Sequence, residues 1–360
     1  MAIFLTLAGL AIGSFLNVCI DRLPPRRFLH LAWGKDSRLD IEVSNKAFID
    51  EPEELFKDKE VVVTGKIIKS KTSRNYQISV IDGSQIKLKE ETGEGLETIS
   101  PTEGPAKDGQ TVTIAGRVTE TSVIKNSLSS PPSHCDSCGQ RLSITDNIPI
   151  FSYLFLRGKC RYCGARIPGR VLLVELLTAA VFLAGFLRLG FTVQYAITVF
   201  WSCIFILIIF IDWEQTLILD KITLPCMAIA VALLAVNSFV PGVNFYGERL
   251  FIPGNGLYSG LISGGVLFVI FLLIIIITRS MGMGDAKLVA LIGLTSGFPL
   301  VVFSMLIGIV VGGVFAIYLL ATRKKGRKDV IPYGTFLAIG PIIAMLLPVN
   351  AMDWYLSLGR

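Results

Sequence analysis

Residues 195–212 read YAITVFWSCIFILIIFID: seventeen uncharged, mostly apolar residues closed by one carboxylate, Asp212. A run of this kind approaches the roughly 20 residues that cross the hydrocarbon core of a bilayer. Working outward, comparable runs occupy 171–189, 222–240, 257–278 and 299–321, with a shorter one at 288–297. Two more lie near the ends, at 2–20 and 331–349. The chain is therefore expected to be a polytopic α-helical membrane protein with about eight transmembrane helices. Composition agrees. Of 360 residues 52% are hydrophobic and 17% charged, against roughly 25% charged in ordinary soluble domains.

The charge is unevenly placed. Residues 34–130 hold 14 Lys+Arg and 17 Asp+Glu, half of all the charged residues, while the rest of the chain is strongly basic. This reads as an inserted soluble domain between a first transmembrane helix at 1–20 and everything that follows. Within it, 61–68, 76–81, 85–89 and 110–119 alternate apolar and polar residues as half-buried strands do, and Asp82-Gly83 and Asp108-Gly109 supply turn chemistry. Residues 91–105, rich in Gly, Glu, Ser and Thr, read as a loop. A small β-barrel, OB-like, is expected. Nucleic acid is not expected as its partner: the segment is net acidic, and Tyr76 is the one aromatic between residues 57 and 130. A protein-contact or spacer domain is the better reading of the insertion.

Basic residues set the orientation. Arg22, Arg26, Arg27, Lys221, Arg279, Lys287 and the run 323–328 all follow odd-numbered spans. With eight spans this places both termini outside and every basic loop in the cytosol. The first span lacks a basic lead and a small-residue cleavage site, so it is expected to be retained rather than removed as a signal.

Seven cysteines are present, four of them as Cys135-x-x-Cys138 and Cys160-x-x-Cys163, each pair followed by Gly. Four thiolates at this spacing suit tetrahedral zinc with no open coordination position, hence a structural site in a cytosolic segment at 131–170. A redox pair is disfavoured because two equivalent pairs occur without a βαβ pattern around them.

Between residues 172 and 350 there are only seven acidic residues: Glu175, Asp212, Glu214, Asp220, Glu248, Asp285 and Asp329. Carboxylates in or beside apolar spans are costly and point to function. Glu248 and Asp329 fall in loops. Asp212 closes one span and Asp285 opens another at Gly282-Met283-Gly284-Asp285, and the hairpin between them returns the chain to the same side. Two carboxylates at one boundary can share a proton, one activating water while the other polarises a peptide carbonyl. That is aspartic-peptidase chemistry. No Ser/His or Cys/His arrangement competes, since the two histidines, His30 and His134, lie away from the spans. Gly282 and Gly284 would let a backbone approach the carboxylate. Glu214 and Asp220 read as auxiliary, while Glu175 and Lys287 either tune the pair or settle at helix ends.

These stretches together resemble the bacterial prepilin peptidase family, the type IV leader peptidases. The likeness is carried by 13–24 (GSFLNVCIDRLP), by the two CxxC pairs with 146–159 between them, and by 173–178. It continues through Asp212 to Pro225 with DKITLP at 220–225, through 281–288, and through 331–338. The resemblance implies that residues 171–350 are a seven-helix membrane aspartic peptidase core, with Asp212 and Asp285 as the catalytic pair and the four cysteines binding zinc. It further implies removal of leader peptides from type IV prepilins or type II secretion pseudopilins at the cytosolic face of the inner membrane. Methylation of the new N-terminus with S-adenosylmethionine would follow. No Gly-rich nucleotide loop marks a methyl-donor site. The competing reading is a non-enzymatic anchor or transporter-like protein that displays a β-domain.

Overall fold

The computed structural model describes residues 1–32, 38–43, 60–69, 76–80, 86–88, 111–124, 128, 133–135, 138–240, 256–278, 282–298, 300–322 and 332–346. The expected loop at 91–105, the basic run at 323–328, and Glu248 and Asp329 lie outside the described residues. The chain divides into two compact units: Met1–Ile20, Ser143–Lys159 and Arg166–Arg360 form one, and Asp21–Leu142 with Cys160–Ala165 the other.

The first unit is helical. It contains α1 (Ala2–Arg22), the short α2 (Phe151–Phe155), α3 (Gly169–Leu189), α4 (Val193–Gln215), α5 (Asp220–Phe239), α6 (Gly256–Thr278), α7 (Met283–Ser296), α8 (Leu300–Ala321) and α9 (Tyr333–Leu346). Among the described residues, six helices are long and apolar enough to cross a membrane: α1, α3, α4, α5, α6 and α8. The protein is a polytopic helical membrane protein. The other two expected spans, at 288–297 and 331–349, fall on α7, which has 14 residues, and on α9, described over 14 residues. At about 1.5 Å per residue α7 runs about 21 Å, against roughly 30 Å for the hydrocarbon core. Hydropathy alone did not show that α7 is an interior helix, with every residue from Leu288 to Ser296 buried.

Close backbone approach seats α7. The buried side of α6 carries Ser259, Gly260, Ser263 and Gly264, and Gly293 of α7 rests against the Gly264 backbone. Small residues at a crossing let two helices meet without intervening side chains, which is how membrane helices gain packing contact. On the other side α9 packs against α4, α7 and α8. Phe336 of α9 stacks with Phe315 of α8, ring centroids 5.0 Å apart, and meets Trp213 of α4 at 6.5 Å. These contacts fix the first turn of α9 beside the last turn of α4.

The second unit holds the strands. They are β1 (Arg26–Ala32), β2 (Arg38–Val43), β3 (Glu60–Lys69), β4 (Tyr76–Val80), β5 (Ile86–Leu88) and β6 (Thr111–Ile124). β1 pairs antiparallel with β2 and β6, β3 antiparallel with β4, β5 and β6, and β2 runs parallel to β4. The pairings β1–β2–β4–β3–β6–β1 close on themselves. The strands expected at 61–68, 76–81, 85–89 and 110–119 are present, β6 running on to Ile124. The sheet also starts before residue 34, because β1 follows Pro24-Pro25 directly at the end of α1.

Candidate active site

The last turn of α4 presents Asp212, which is buried. The helix ends three residues later, where Thr216 adopts a left-handed conformation (φ 48°) and its N–H donates to the Asp212 carbonyl at 2.7 Å. The chain then turns through Ile218 into α5. Asp285 sits in the first turn of α7. Its N–H donates to the Gly282 carbonyl at 3.1 Å, and its Oδ2 accepts from the Gly282 N–H at 3.3 Å. This reciprocal cap holds the carboxylate at the positive end of a helix.

Sequence reading missed the group that joins them. Gly334 opens α9, and a Cβ placed on it would lie 3.2 Å from Asp212 Oδ2 and 3.2 Å from Asp285 Oδ1. The two carboxylate oxygens are thus no further apart than about twice that distance, with the bare Gly334 backbone between them. The next residue, Thr335, donates to Asp212 Oδ2 from its N–H at 2.6 Å and from its hydroxyl at 2.8 Å. Ile218 closes the floor. The same Cβ on Gly334 would meet its Cδ1 at 2.8 Å, and one on Gly284 would meet its Cβ at 2.9 Å. Gly284 is therefore needed for packing against Ile218, whereas beside Gly282 the nearest atom to an added Cβ among the described residues is 3.9 Å away.

The remaining expected residues point elsewhere. Glu214 forms an ion pair with Arg170 of α3, Oε1 to Nε 2.7 Å; two positions along a helix is about 200°, so it leaves α4 on another face from Asp212. Asp220 pairs with Lys287 at 2.7 Å, tying α5 to α7. Glu175 lies on α3 and accepts from the Ile150 N–H at 2.7 Å.

In the second unit the four cysteines form one cluster, their sulfurs all within 4.8 Å of one another. Cys135 Sγ lies 3.8 Å from Cys163 Sγ, and Cys138 Sγ 3.9 Å from Cys160 Sγ. A zinc ion with Zn–S bonds of about 2.3 Å sets tetrahedral edges of about 3.8 Å, so this donor set fits the metal. The two knuckles repeat one pattern. Gly139 (φ 61°) donates its N–H to the Cys135 carbonyl at 2.7 Å, and Gly164 (φ 71°) does so to Cys160 at 2.9 Å. Backbone N–H groups of Tyr162 and Cys163 draw the Cys160 thiol below its usual value, favouring the thiolate that a metal requires.

Two family models match the chain: one described as Bacterial Peptidase A24 N-terminal domain, over residues 7–189, and one as Type IV leader peptidase family, over residues 199–317. A prepilin leader peptidase/N-methyltransferase of Aeromonas salmonicida is 32% identical over 231 residues, 63% of this chain and 75% of the relative. One of Dichelobacter nodosus is 35% identical over 227 residues, 60% and 71% of the two chains. One of Bacillus subtilis is 28% identical over 237 residues, 65% and 88%. No solved structure matches.

Proposed function

This chain belongs to the type IV leader peptidase family, and on that premise we propose that it removes the leader peptide of prepilins by aspartic catalysis at the gap between Asp212 and Asp285. The observation that carries the proposal is the placement of both carboxylate oxygens against Gly334. Two carboxylates facing one gap can share one proton. Thr335 directs two donors at one oxygen of Asp212, which suits that group to carry the charge and take a proton from water. Asp285 then lends its proton to the scissile carbonyl and recovers it as the carbonyl re-forms, while Asp212 passes the proton taken from water to the leaving amine as the C–N bond breaks. Type IV prepilins or type II secretion pseudopilins are the substrates of this reading. The open space beside Gly282 lets an extended peptide reach the pair.

The test is a cleavage assay of purified protein with a prepilin from the same cell. Wild type yields a shortened pilin and Asp285→Ala does not. Cleavage by both would overturn the dyad.

After cleavage we propose methyl transfer to the new N-terminal amine, the activity that the relatives' names carry. S-adenosylmethionine would supply an electrophilic methyl group when bound. No residue of this chain is assigned to hold it. Mass spectrometry of the processed pilin decides the matter.

We infer that zinc occupies the cluster of Cys135, Cys138, Cys160 and Cys163 as a structural ion, all four positions being filled by protein thiolates. We also infer an OB-like barrel from the ring of strands that contains one parallel pair, β2–β4, serving a protein contact. Saturable binding of a single-stranded oligonucleotide at physiological salt would count against that role. The inner membrane is the proposed location, with both termini outside and the dyad and zinc cluster cytosolic. The basic residues Arg22, Lys221 and Lys287 support that orientation, and thiol labelling from the outer face tests it.

A further inference from the structure

A second polar constellation lies in the helical unit, in the seam between α1 and α3. Gly13 of α1 abuts Glu175 of α3 so closely that a Cβ on Gly13 would lie 2.7 Å from the Glu175 Cα. Glu175 is only 3% exposed, and Asn17, one turn along α1 from Gly13, is 6% exposed. Burying an ionisable carboxylate inside a membrane bundle is costly, and nothing in the cleavage chemistry uses this one. No cationic side chain is seen on it among the described residues. It accepts from the Ile150 N–H, 2.7 Å from Oε2, and from the half-buried Ser14 side chain.

Asn17 supplies the independent observation. Its Nδ2 donates to the Gly13 carbonyl at 3.3 Å and to the Val171 carbonyl of α3 at 3.0 Å. Both neighbours are acceptors, so the amide cannot be turned round. Its Oδ1 is left buried in the seam without a hydrogen-bond partner among the described residues. Leaving a buried acceptor unmade is costly, commonly about 1–3 kcal/mol, and such groups call for an explanation. The seam thus holds a carboxylate and an orphaned carbonyl oxygen one turn apart, with a hydroxyl at its accessible edge. All three can accept hydrogen bonds. Their common complement is a small group rich in N–H donors and positively charged.

We propose that this seam binds the primary ammonium at the N-terminus of the cleaved pilin, with Glu175 as its counter-charge and Asn17 Oδ1 as a second acceptor. The proposal rests on the methyl-transfer reading for its purpose. The location fits. Arg170, five residues before Glu175, is joined to Glu214, two residues after Asp212, so both carboxylates sit near the same end of the bundle. Glu175 takes one proton from the ammonium and frees the nitrogen lone pair. That pair attacks the methyl carbon of a sulfonium donor, the N–C bond forming as the S–C bond breaks. The donor leaves as a thioether and the product is a secondary ammonium.

Two readouts test it. In the first, a peptide of the mature pilin N-terminus is titrated into the full-length protein in detergent, with a free or an acetylated amine. Wild type should favour the free amine, and Glu175→Gln, which retains an acceptor for Ile150, should lower that preference by about tenfold or more, the scale of one lost charge-assisted bond. Asn17→Ala should lower it by a smaller factor. In the second, prepilin is supplied with methyl donor, and Glu175→Gln should cleave at the wild-type rate while its product stays unmethylated. An unchanged preference for the free amine in both variants overturns the proposal, as does loss of cleavage together with methylation, which marks Glu175 as a structural prop for the Ile150 turn. A wild type that prefers the free amine yet never methylates it overturns the methyl-transfer reading and leaves the amine site standing.

Discussion

Thr335 donates twice to a single oxygen of Asp212, from its backbone N–H at 2.6 Å and its hydroxyl at 2.8 Å. Charge-assisted bonds of this kind are worth about 1.5–3 kcal/mol each. Removing the hydroxyl alone should therefore slow cleavage by about tenfold to a hundredfold, if its strength is expressed in the transition state. Thr335→Val is expected to lose that factor in kcat with little change in KM, and Thr335→Ser to recover most of it. Equal activity in the Val and Thr enzymes would show that the backbone donor suffices.

Gly334→Ala is the sharper test of the gap. Its methyl group would press on both carboxylates and on Ile218 at once. Three neighbours cannot all yield, so cleavage should fall by about a hundredfold or more while the helices remain folded, the loss resembling that of a displaced reacting group. A Gly334→Ala enzyme with near-normal turnover would mean that hydrolysis takes place elsewhere.

Asp212→Asn and Asp285→Asn should each abolish cleavage. The two should not add, because the pair acts as a unit. The double variant is expected to match either single one. Membrane insertion, measured by fractionation, should be unchanged in all three.

The pair Lys287–Asp220 should matter far less. Asp220 is largely exposed, its side chain retaining 55% of its accessible surface, and Lys287 is partly so. Solvent-exposed pairs contribute about 0–1 kcal/mol. Lys287→Ala should cost no more than a few-fold in turnover. A loss comparable to that of the aspartates would place the ammonium group in the chemistry.

Metal analysis should return one zinc per chain, and Cys138→Ser should lose most of it, since the remaining three thiolates leave one tetrahedral position open. Acidification should release the ion as protons compete for the thiolates. Retention of a full zinc equivalent in Cys138→Ser would count against the four-thiolate cluster.

What could be read in advance was what is expensive. Asp212 and Asp285 stood out because carboxylates beside apolar runs carry a large desolvation cost, and the cysteines because their spacing serves one geometry. Gly334 and Thr335 were overlooked because neither is costly in a membrane helix. Their importance appears only when α9 is laid against α4 and α7. Glu214 was legible as an unusual carboxylate, but its turn toward Arg170 is set by where α3 packs, which no linear pattern encodes. In the strands, alternation exposed β3, β4, β5 and much of β6, whereas β1 was hidden because Arg26 and Arg27 read as anchors beside a span.

The shortness of α7 has a consequence for the surroundings as much as for the protein. A helix of 14 residues is about 9 Å shorter than an average hydrocarbon core is thick, so at least one of its ends lies inside the membrane boundary and water must dip inward to meet it. The first turn of α7, which carries Asp285, is one of those two ends. The thickness of the host membrane then becomes a variable of the reaction: lipids with longer acyl chains would deepen the barrier that water must cross, and shorter ones would lower it.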